Sequence, residues 1–322
     1  MPSELAWIAK ATGASSVRRG ERIQSLWSGY GEIFRVHLEG AAMPTAIVKW
    51  VQPPARVRAR PRSEEASHAR KCRSYHVETA WYRTLGKQCE HACRVPALID
   101  AQVTGDQWLL LLEDLDAAGF PERRSDPKPV EVDRCLAWLA AFHARFVGVS
   151  PDGLWKTGTY WHLATRPDEL AAIEDEALRE AAPLLDRKLR SAVFQTLVHG
   201  DAKPANFCFA PGGRGVAAVD FQYVGGGCGM KDVAYLLSSP RRGAEALEAR
   251  HLDTYFARLR EALAEAPSAS SIDVDALEAE WRGLYPIACA DYYRFLAGWA
   301  KEHWRSEAHG QKVTRAVLRA LA

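Results

Sequence analysis

No stretch of this chain approaches the roughly 20 consecutive apolar residues that a membrane-crossing helix needs; the run Trp108 to Leu112, for example, is five residues long. The opening MPSELAWIAKATG has no basic segment followed by a long apolar one, so no secretory leader is expected. An excess of either charge is also missing. Forty-two Lys and Arg against 40 Asp and Glu leave a net charge of +2, which gives no electrostatic reason for nucleic acid or an acidic membrane as the main partner. The most basic stretch, residues 56–73, is interrupted by Glu64 and Glu65 and reads as a basic loop leading into a solvated helix face. Cysteine is sparse: seven residues, odd in number and scattered, read as reduced thiols of a cytoplasmic protein. Cys89, His91 and Cys93 lie close together, but no second ligand pair at zinc spacing follows them. Internal repeats and low-complexity segments are absent.

What is present is 48% hydrophobic residues over 322 positions, enough for a large core and more than one domain. A helix over residues 3–11 is expected to stop at Gly13. Strands are expected at 22–27, 33–38 and 45–51, the last ended by Pro53 and Pro54. A helix over 63–85 closed by Gly86 follows, then strands at 94–101 and 107–112, giving β-β-β-α-β-β. A hinge near residues 113–116 divides the chain into 1–113 and 114–322. Beyond it helices dominate. Val132, Cys135, Leu136, Leu139, Ala140, Phe142, His143 and Phe146 share one helical face. Further helices are expected at 167–180, 183–197, 231–237 and 244–264, and over most of 273–321. A strand-rich island at 198–224 turns at Pro211-Gly212-Gly213, and the Ser-rich run 267–271 reads as a loop.

The chemistry concentrates in His199-Gly200-Asp201-Ala202-Lys203-Pro204-Ala205-Asn206 and, further on, Val219-Asp220-Phe221-Gln222. Phosphoryl transfer from ATP requires positioned magnesium, a base for the incoming hydroxyl and cations around the phosphates. Magnesium favours hard oxygen ligands, one or two of them carboxylates. Asp220 and Asn206 supply a carboxylate and an amide oxygen. Asp201, ahead of Asn206 in the same loop, can accept a hydroxyl proton. Singly, each has an ordinary explanation: a turn former, an Asx-turn residue, a loop cap. The functional reading rests on their conjunction.

H-G-D-x-x-x-x-N followed by an Asp-Phe motif resembles the aminoglycoside phosphotransferase and choline kinase superfamily, relatives of the protein kinases. The stretch LVHGDAKPANFCF…VAAVDFQYVGGGCGMKDVAYLL is most similar to its ecdysteroid-kinase-like branch. The resemblance runs from about Gln24 to Leu237. It implies a two-lobed α+β fold of protein-kinase type, with a small antiparallel β lobe carrying one helix, a larger mainly helical lobe, and ATP and Mg2+ between them. It makes Asp201 the catalytic base, Asn206 and Asp220 the metal ligands, and Lys203 the loop lysine that contacts the γ-phosphate. Lys49 matches the third-strand lysine that grips the α- and β-phosphates, with Glu78 as its helix partner rather than Glu64 or Glu65. Gly29 and Gly31 mark a shortened phosphate-covering turn, and the backbone from Glu113 to Leu115 would meet the adenine edge. Asp232 would brace the catalytic loop, and His199 reads as a core histidine doing the same.

Departures from the protein-kinase pattern narrow the substrate. Gly200 replaces an arginine, Gln222 replaces a glycine, and no Ala-Pro-Glu segment follows Asp220. A protein substrate is therefore not expected; the acceptor is a small molecule bearing a hydroxyl, either sterol-like or another small alcohol. Choline-type or aminoglycoside-type kinases are the alternatives within the enzyme class, and a pseudokinase is the alternative outside it. Tyr160, Trp161, Tyr292, Tyr293, Trp299 and Trp304 are candidate acceptor walls, although interhelical packing is the expected role of most of them. Asp291 offers either a partner for a cationic acceptor or a solvated helix face.

Overall fold

The computed structural model describes residues 2–54, 62–89, 91–238, 244–265 and 272–321. The expected loop at 267–271 and the first part of the basic stretch, 56–61, lie outside the described residues. In chain order the elements are α1 (Pro2–Thr12), β1 (Ser16–Ser25), β2 (Gly31–Glu39), β3 (Thr45–Val51), α2 (Arg62–Arg83), β4 (Leu98–Thr104), β5 (Gln107–Glu113), β6 (Glu122–Arg123), α3 (Pro129–Phe146), α4 (Pro167–Ala171), α5 (Glu176–Arg190), β7 (Thr196–Val198), β8 (Phe207–Phe209), β9 (Val216–Ala218), β10 (Gly225–Gly227), α6 (Met230–Leu237), α7 (Ala244–Glu265), α8 (Val274–Trp299), α9 (Lys301–Ser306) and α10 (Ala308–Leu321).

They form two compact units. The first comprises Met1–Glu90, Arg94–Glu122 and Cys208–Val219. Its centre is an antiparallel sheet in the order β1-β2-β3-β5-β4. Strand alternation sends successive side chains to opposite faces. Ala46 and Val48 of β3 join Phe34, Val36, Leu111 and Ile8 of α1 in one core. Lys49, next after Val48 in the strand, points the other way, toward the face that α2 covers. There Tyr75 of α2 packs on Trp108 with ring centroids 5.6 Å apart. β4 begins at Leu98, after Pro96, because proline cannot donate to the ladder. β1 is longer than its pattern suggests. Its first half, Ser-Val-Arg-Arg-Gly-Glu, lacks an apolar alternation because it lies at the sheet edge and is largely exposed. The β8–β9 segment packs its own small core, Leu115, Cys208 and Ala217, with Phe120 and Val219 against it.

The second unit comprises His91–Cys93, Arg123–Phe207 and Asp220–Ala322. α3 packs along α7, and α8 runs against α4, α5, α6 and α10. The face of α3 read from the sequence is buried throughout. One expectation fails. The helices foreseen at 167–180 and 183–197 are instead α4, ending at Ala171, and α5, which runs through Pro183 and stops at Arg190. Asp175 sets the break by accepting the Leu178 N–H at 3.1 Å as an N-cap. An interior proline costs about 3 kcal/mol, and the buried face Leu178, Ala182, Leu185 and Leu189 offsets it. Chain beyond residue 195 pairs as strand β7 with β10.

Candidate active site

Lys49 and Glu78 meet in the interior of the first unit. Both are almost fully buried, and Lys49 Nζ lies 2.8 and 2.7 Å from the two carboxylate oxygens. Neighbouring positions Glu64 and Glu65 are exposed at the start of α2. The turn before β2 holds three residues with positive φ: Ser28 at 58°, Gly29 at 71° and Gly31 at 136°. A Cβ on Gly31 would lie 2.0 Å from the Trp50 carbonyl oxygen, so only glycine fits there. Lys71 of α2 donates to Ser28 Oγ at 2.8 Å, and Tyr30 Oη is 2.6 Å from His68 Nδ1, which ties the turn to α2.

Glu113 serves the same unit structurally. Its N–H donates to Ala97 O at 2.9 Å, its carboxylate accepts from Ala97 N at 2.9 Å, and Arg94 donates to the other oxygen. Leu115 is buried in the small hairpin core, and its carbonyl accepts from Phe120 N at 2.8 Å. Between them Asp114 binds Arg35 through both oxygens, at 2.5 and 3.1 Å. Burial raises the Asp114 carboxyl, but Arg35 together with the Thr45 hydroxyl and the Asp116 N–H outweighs burial and holds it below the usual carboxylate range.

In the second unit the catalytic-loop candidates converge on Asp201. Its Oδ2 accepts from Lys203 Nζ and from Asn206 Nδ2, each at 2.9 Å, and its carbonyl accepts from Asn206 Nδ2 at 2.8 Å. Its Oδ1 is buried with no hydrogen-bond partner. Burial pushes the Asp201 carboxyl upward; Lys203 opposes the rise and the Asp220 charge adds to it. For Lys203, burial pulls the ammonium down, but Asp201 and Asp220 outweigh it, so the net shift is upward. Asp220 has φ 70°, a left-handed conformation that a non-glycine side chain adopts at a cost. Its Oδ1 accepts from Gln222 Nε2 at 2.8 Å.

These residues suit a divalent cation of the magnesium type. With both Asn206 contacts made through its nitrogen, the amide oxygen is the end left for a metal, and Asp220 adds a carboxylate. Among the described residues no group of three or more His, Cys, Asp or Glu could hold a metal ion alone. Magnesium commonly takes one or two protein ligands and completes its shell with phosphate oxygens and water.

The supports of this loop are mostly long-range. Asp232, fully buried in α6, accepts the His199 N–H at 2.6 Å and the Gly200 N–H at 2.9 Å, with His143 Nε2 at 3.2 Å. His199 is fully buried and its Nδ1 accepts from Asp201 N at 3.2 Å. Sequence reasoning named Tyr160 and Trp161 but missed how the segment before α4 lies along this loop. Trp155 bridges Gly225, Tyr160 N donates to Gly200 O at 3.1 Å, and Thr159 N to Tyr223 O at 3.2 Å. This close lamination explains the glycines. A Cβ would lie 2.1 Å from Tyr223 O at Gly200 and 2.1 Å from Trp155 O at Gly225.

The aromatic candidates form one connected cluster, with Tyr160 packing on both Trp161 (5.1 Å) and Tyr235 (5.6 Å) and Tyr292 on Tyr293 (5.5 Å). Tyr293 and Trp304 pack on each other, with centroids 5.8 Å apart, and Gly310 of α10 lies against Tyr293. Trp161 is fully buried against Tyr235 and Tyr292. Tyr160 also meets Phe295, which stacks on Trp299, with centroids 5.2 and 5.5 Å apart. Asp291 is no solvated residue. It is 1% exposed, 2.9 Å from Arg294 and 3.6 Å from Lys231. Burial raises its carboxyl, and those two cations bring it below the usual range. All seven cysteines are thiols rather than disulfides, and no helix among the described residues is long and apolar enough to cross a membrane.

The sequence profile of a phosphotransferase enzyme family matches residues 30–266. No curated protein matches the chain. Among solved structures, amicoumacin kinase hAmiN in complex with AMP-PNP, Ca2+ and Ami is similar at TM-score 0.57 and 15% identity, covering 93% of this chain and 91% of that one. A putative fructosamine-3-kinase from Thermobifida fusca is similar at TM-score 0.52 and 16% identity, covering 99% of each chain. At such identities the likeness concerns the fold.

Proposed function

Because the chain belongs to this phosphotransferase enzyme family, we propose that it transfers the γ-phosphoryl group of ATP to a hydroxyl of a small molecule. The observation that carries the reading is the Asp201 carboxylate: one oxygen held by Lys203 and Asn206, the other buried and unpartnered. A carboxylate so arranged is oriented by one oxygen and has the other available to take a hydroxyl proton.

The remaining residues take roles of their own. Lys203, already beside Asp201, would neutralise charge on the transferred phosphoryl group. Asn206 and Asp220 would hold Mg2+. A magnesium ion bound there supplies charge neutralisation at the phosphate oxygens. Lys49, aligned by Glu78, would grip the α- and β-phosphates, and the turn at Gly29 and Gly31 would cover them with backbone N–H groups. Backbone at Glu113 and Leu115 would meet the adenine edge; the Leu115 carbonyl is already engaged, so its N–H is the group assigned to this contact. Residues 1–113 would thus serve the nucleotide, and 114–322 the chemistry and the acceptor. Catalysis would rest on positioning and fixed charge.

The stretch from Leu197 to Leu237 supports placing the protein nearest the ecdysteroid-kinase-like branch, with a sterol-like or other small alcohol as acceptor. Unbridged thiols support a cytoplasmic setting. Lys49, Asp201, Asn206 and Asp220 are all present, which favours turnover over a pseudokinase.

The test is ADP release from Mg-ATP across choline, ethanolamine, aminoglycosides, sugars, nucleosides and sterols, with Asp201→Asn as the blank. An acceptor-dependent signal that vanishes in the variant supports the reading. Failure of Mg-ATP both to turn over and to raise the melting temperature refutes it.

A further inference from the structure

Arg35 of β2 has no role in the site as assigned above, yet it gathers the segment given to the adenine edge. Its Nε and Nη2 reach the two oxygens of Asp114 at 2.5 and 3.1 Å, Nη2 also donates to Asp116 Oδ2 at 2.6 Å, and Nη1 donates to Glu21. Asp114 Oδ1 in turn accepts the Asp116 N–H at 3.1 Å, closing an Asx turn around Leu115. The Asp114 and Leu115 carbonyls accept from Ala118 N at 3.0 Å and from Phe120 N at 2.8 Å. Asp114 is 4% exposed, so water does little to support its charge. One guanidinium thus sits among three carboxylates. Without it they would repel one another, and the turn would lose its clamp.

The sheet places this clamp beside the nucleotide residues. Register sets Arg35 opposite Ile47 and Ile33 opposite Lys49, and residues directly opposite share a face. All four side chains therefore lie on the face that carries Lys49, where Ile33 and Ile47 are only half-buried. The two ends of the nucleotide site have separate supports. Glu78 aligns Lys49 for the phosphates, and Arg35 aligns residues 114–116 for the base. Arginine suits the second task because its planar fork spans both oxygens of one carboxylate and still has N–H groups for others. A lysine would keep the charge but concentrate it at one point, and could not bridge Asp114 while reaching Asp116 and Glu21.

We propose that Arg35 is a positioning residue that sets the base selectivity of the nucleotide site, acting through Asp114 on the Leu115 N–H. Atom N1 of adenine accepts a hydrogen bond, whereas N1 of guanine carries a proton. A Leu115 N–H held still therefore pairs with the first and opposes the second, and selectivity between them depends on how firmly the turn is held. The inference rests on the phosphotransfer reading of the same site and concerns the base, not the acceptor.

The experiment is calorimetry on the full chain with three magnesium-loaded probes: ATP, GTP and base-free inorganic tripolyphosphate. The natural chain should bind ATP at least tenfold more tightly than GTP. Arg35→Lys should weaken ATP at least fivefold while GTP and tripolyphosphate stay within twofold. A merely structural part in the sheet would weaken all three alike, because Lys49 lies on the next strand. Asp114→Asn should narrow the ATP preference in the same way, and it keeps the test open should Arg35→Lys fail to fold. The double variant should lose no more than the larger single loss, since both changes act along one path. Equal binding of ATP and GTP by the natural chain, a parallel loss of all three probes in the variants, an unmoved ATP preference, or additive losses in the double variant overturns the proposal and leaves phosphotransfer standing. No binding of any probe by the natural chain removes the phosphotransfer reading and this proposal with it.

Discussion

Lys49 and Glu78 lend themselves to a quantitative test, because their burial makes the pair nearly neutral when whole and costly when broken. Lys49 is 4% exposed and Glu78 1%. Replacing Lys49 by Met leaves the Glu78 carboxylate in the interior with its main counter-charge gone. Removing one partner of a buried ion pair costs about 3–5 kcal/mol. Replacing both by apolar residues of similar volume, Lys49→Met with Glu78→Leu, removes the stranded charge, and such exchanges are neutral or stabilising by roughly 1–4 kcal/mol. The double variant should therefore be about as stable as the natural chain, and far more stable than the sum of the singles. Urea unfolding of the four proteins, followed by tryptophan fluorescence, closes the cycle. All three variants should lose ATP affinity, which separates what the pair does for the nucleotide from what it does for the fold. A Lys49→Met loss below about 1 kcal/mol, or a double variant as unstable as the summed singles, would refute this account of a desolvated pair.

Asp201→Asn should lower turnover by at least the roughly 10²–10⁴-fold typical of a lost general base, with Mg-ATP affinity, read by calorimetry, nearly unchanged. Asp220→Asn should raise the magnesium concentration needed for half-maximal nucleotide binding, measured by titrating Mg2+ at fixed ATP. Gly200→Ala should fail to give a stable protein, since its Cβ would meet Tyr223 O at 2.1 Å, whereas Gly212→Ala, at φ 71° with nothing within 4 Å, should cost only about 1–2 kcal/mol by thermal unfolding. Burial first, then the Lys231 charge, depresses His162 to about 4, with Asp186 and Asp291 opposing and Arg294 adding to the depression. The unfolded chain takes up a proton near pH 6.5 that the folded one refuses. Stability should thus be full above about 6.5 and fall toward pH 4, by up to roughly 3 kcal/mol. His162→Gln should flatten that part of the melting-temperature profile; an unchanged slope would refute the assignment.

The parts of the site legible in the sequence are those whose partners are near in the chain or obey strand alternation. Asp201, Lys203 and Asn206 lie within six residues and bond to one another, so the motif that carried the resemblance is also a local structural unit. Lys49 is a cation in an apolar strand at the position that alternation turns away from Val48, and Glu78 sits one helix later. Illegible were the residues that act through distant backbone. Nothing local announces that residues 155–160 will lie against β10, and a run of three glycines reads equally well as a flexible linker. Asp291 shows the same limit from the other side, for an aspartate in a helix looks solvated until Lys231 and Arg294 arrive from elsewhere. Pro183 misled because a proline usually ends a helix, and only the buried face of α5 shows why it does not here.

Asp232 carries an implication for descent. One carboxylate, fully buried in α6, holds the His199 and Gly200 N–H groups together with His143, so the loop owes its shape to a residue outside it. A lineage that exchanged Asp232 for a neutral side chain would keep every letter of the proposed catalytic signature and lose the carboxylate that holds its turn. Among relatives of this chain, retention of the Asp201, Asn206 and Asp220 triad is then insufficient evidence of a working enzyme, and silent members are to be sought first among those altered at position 232.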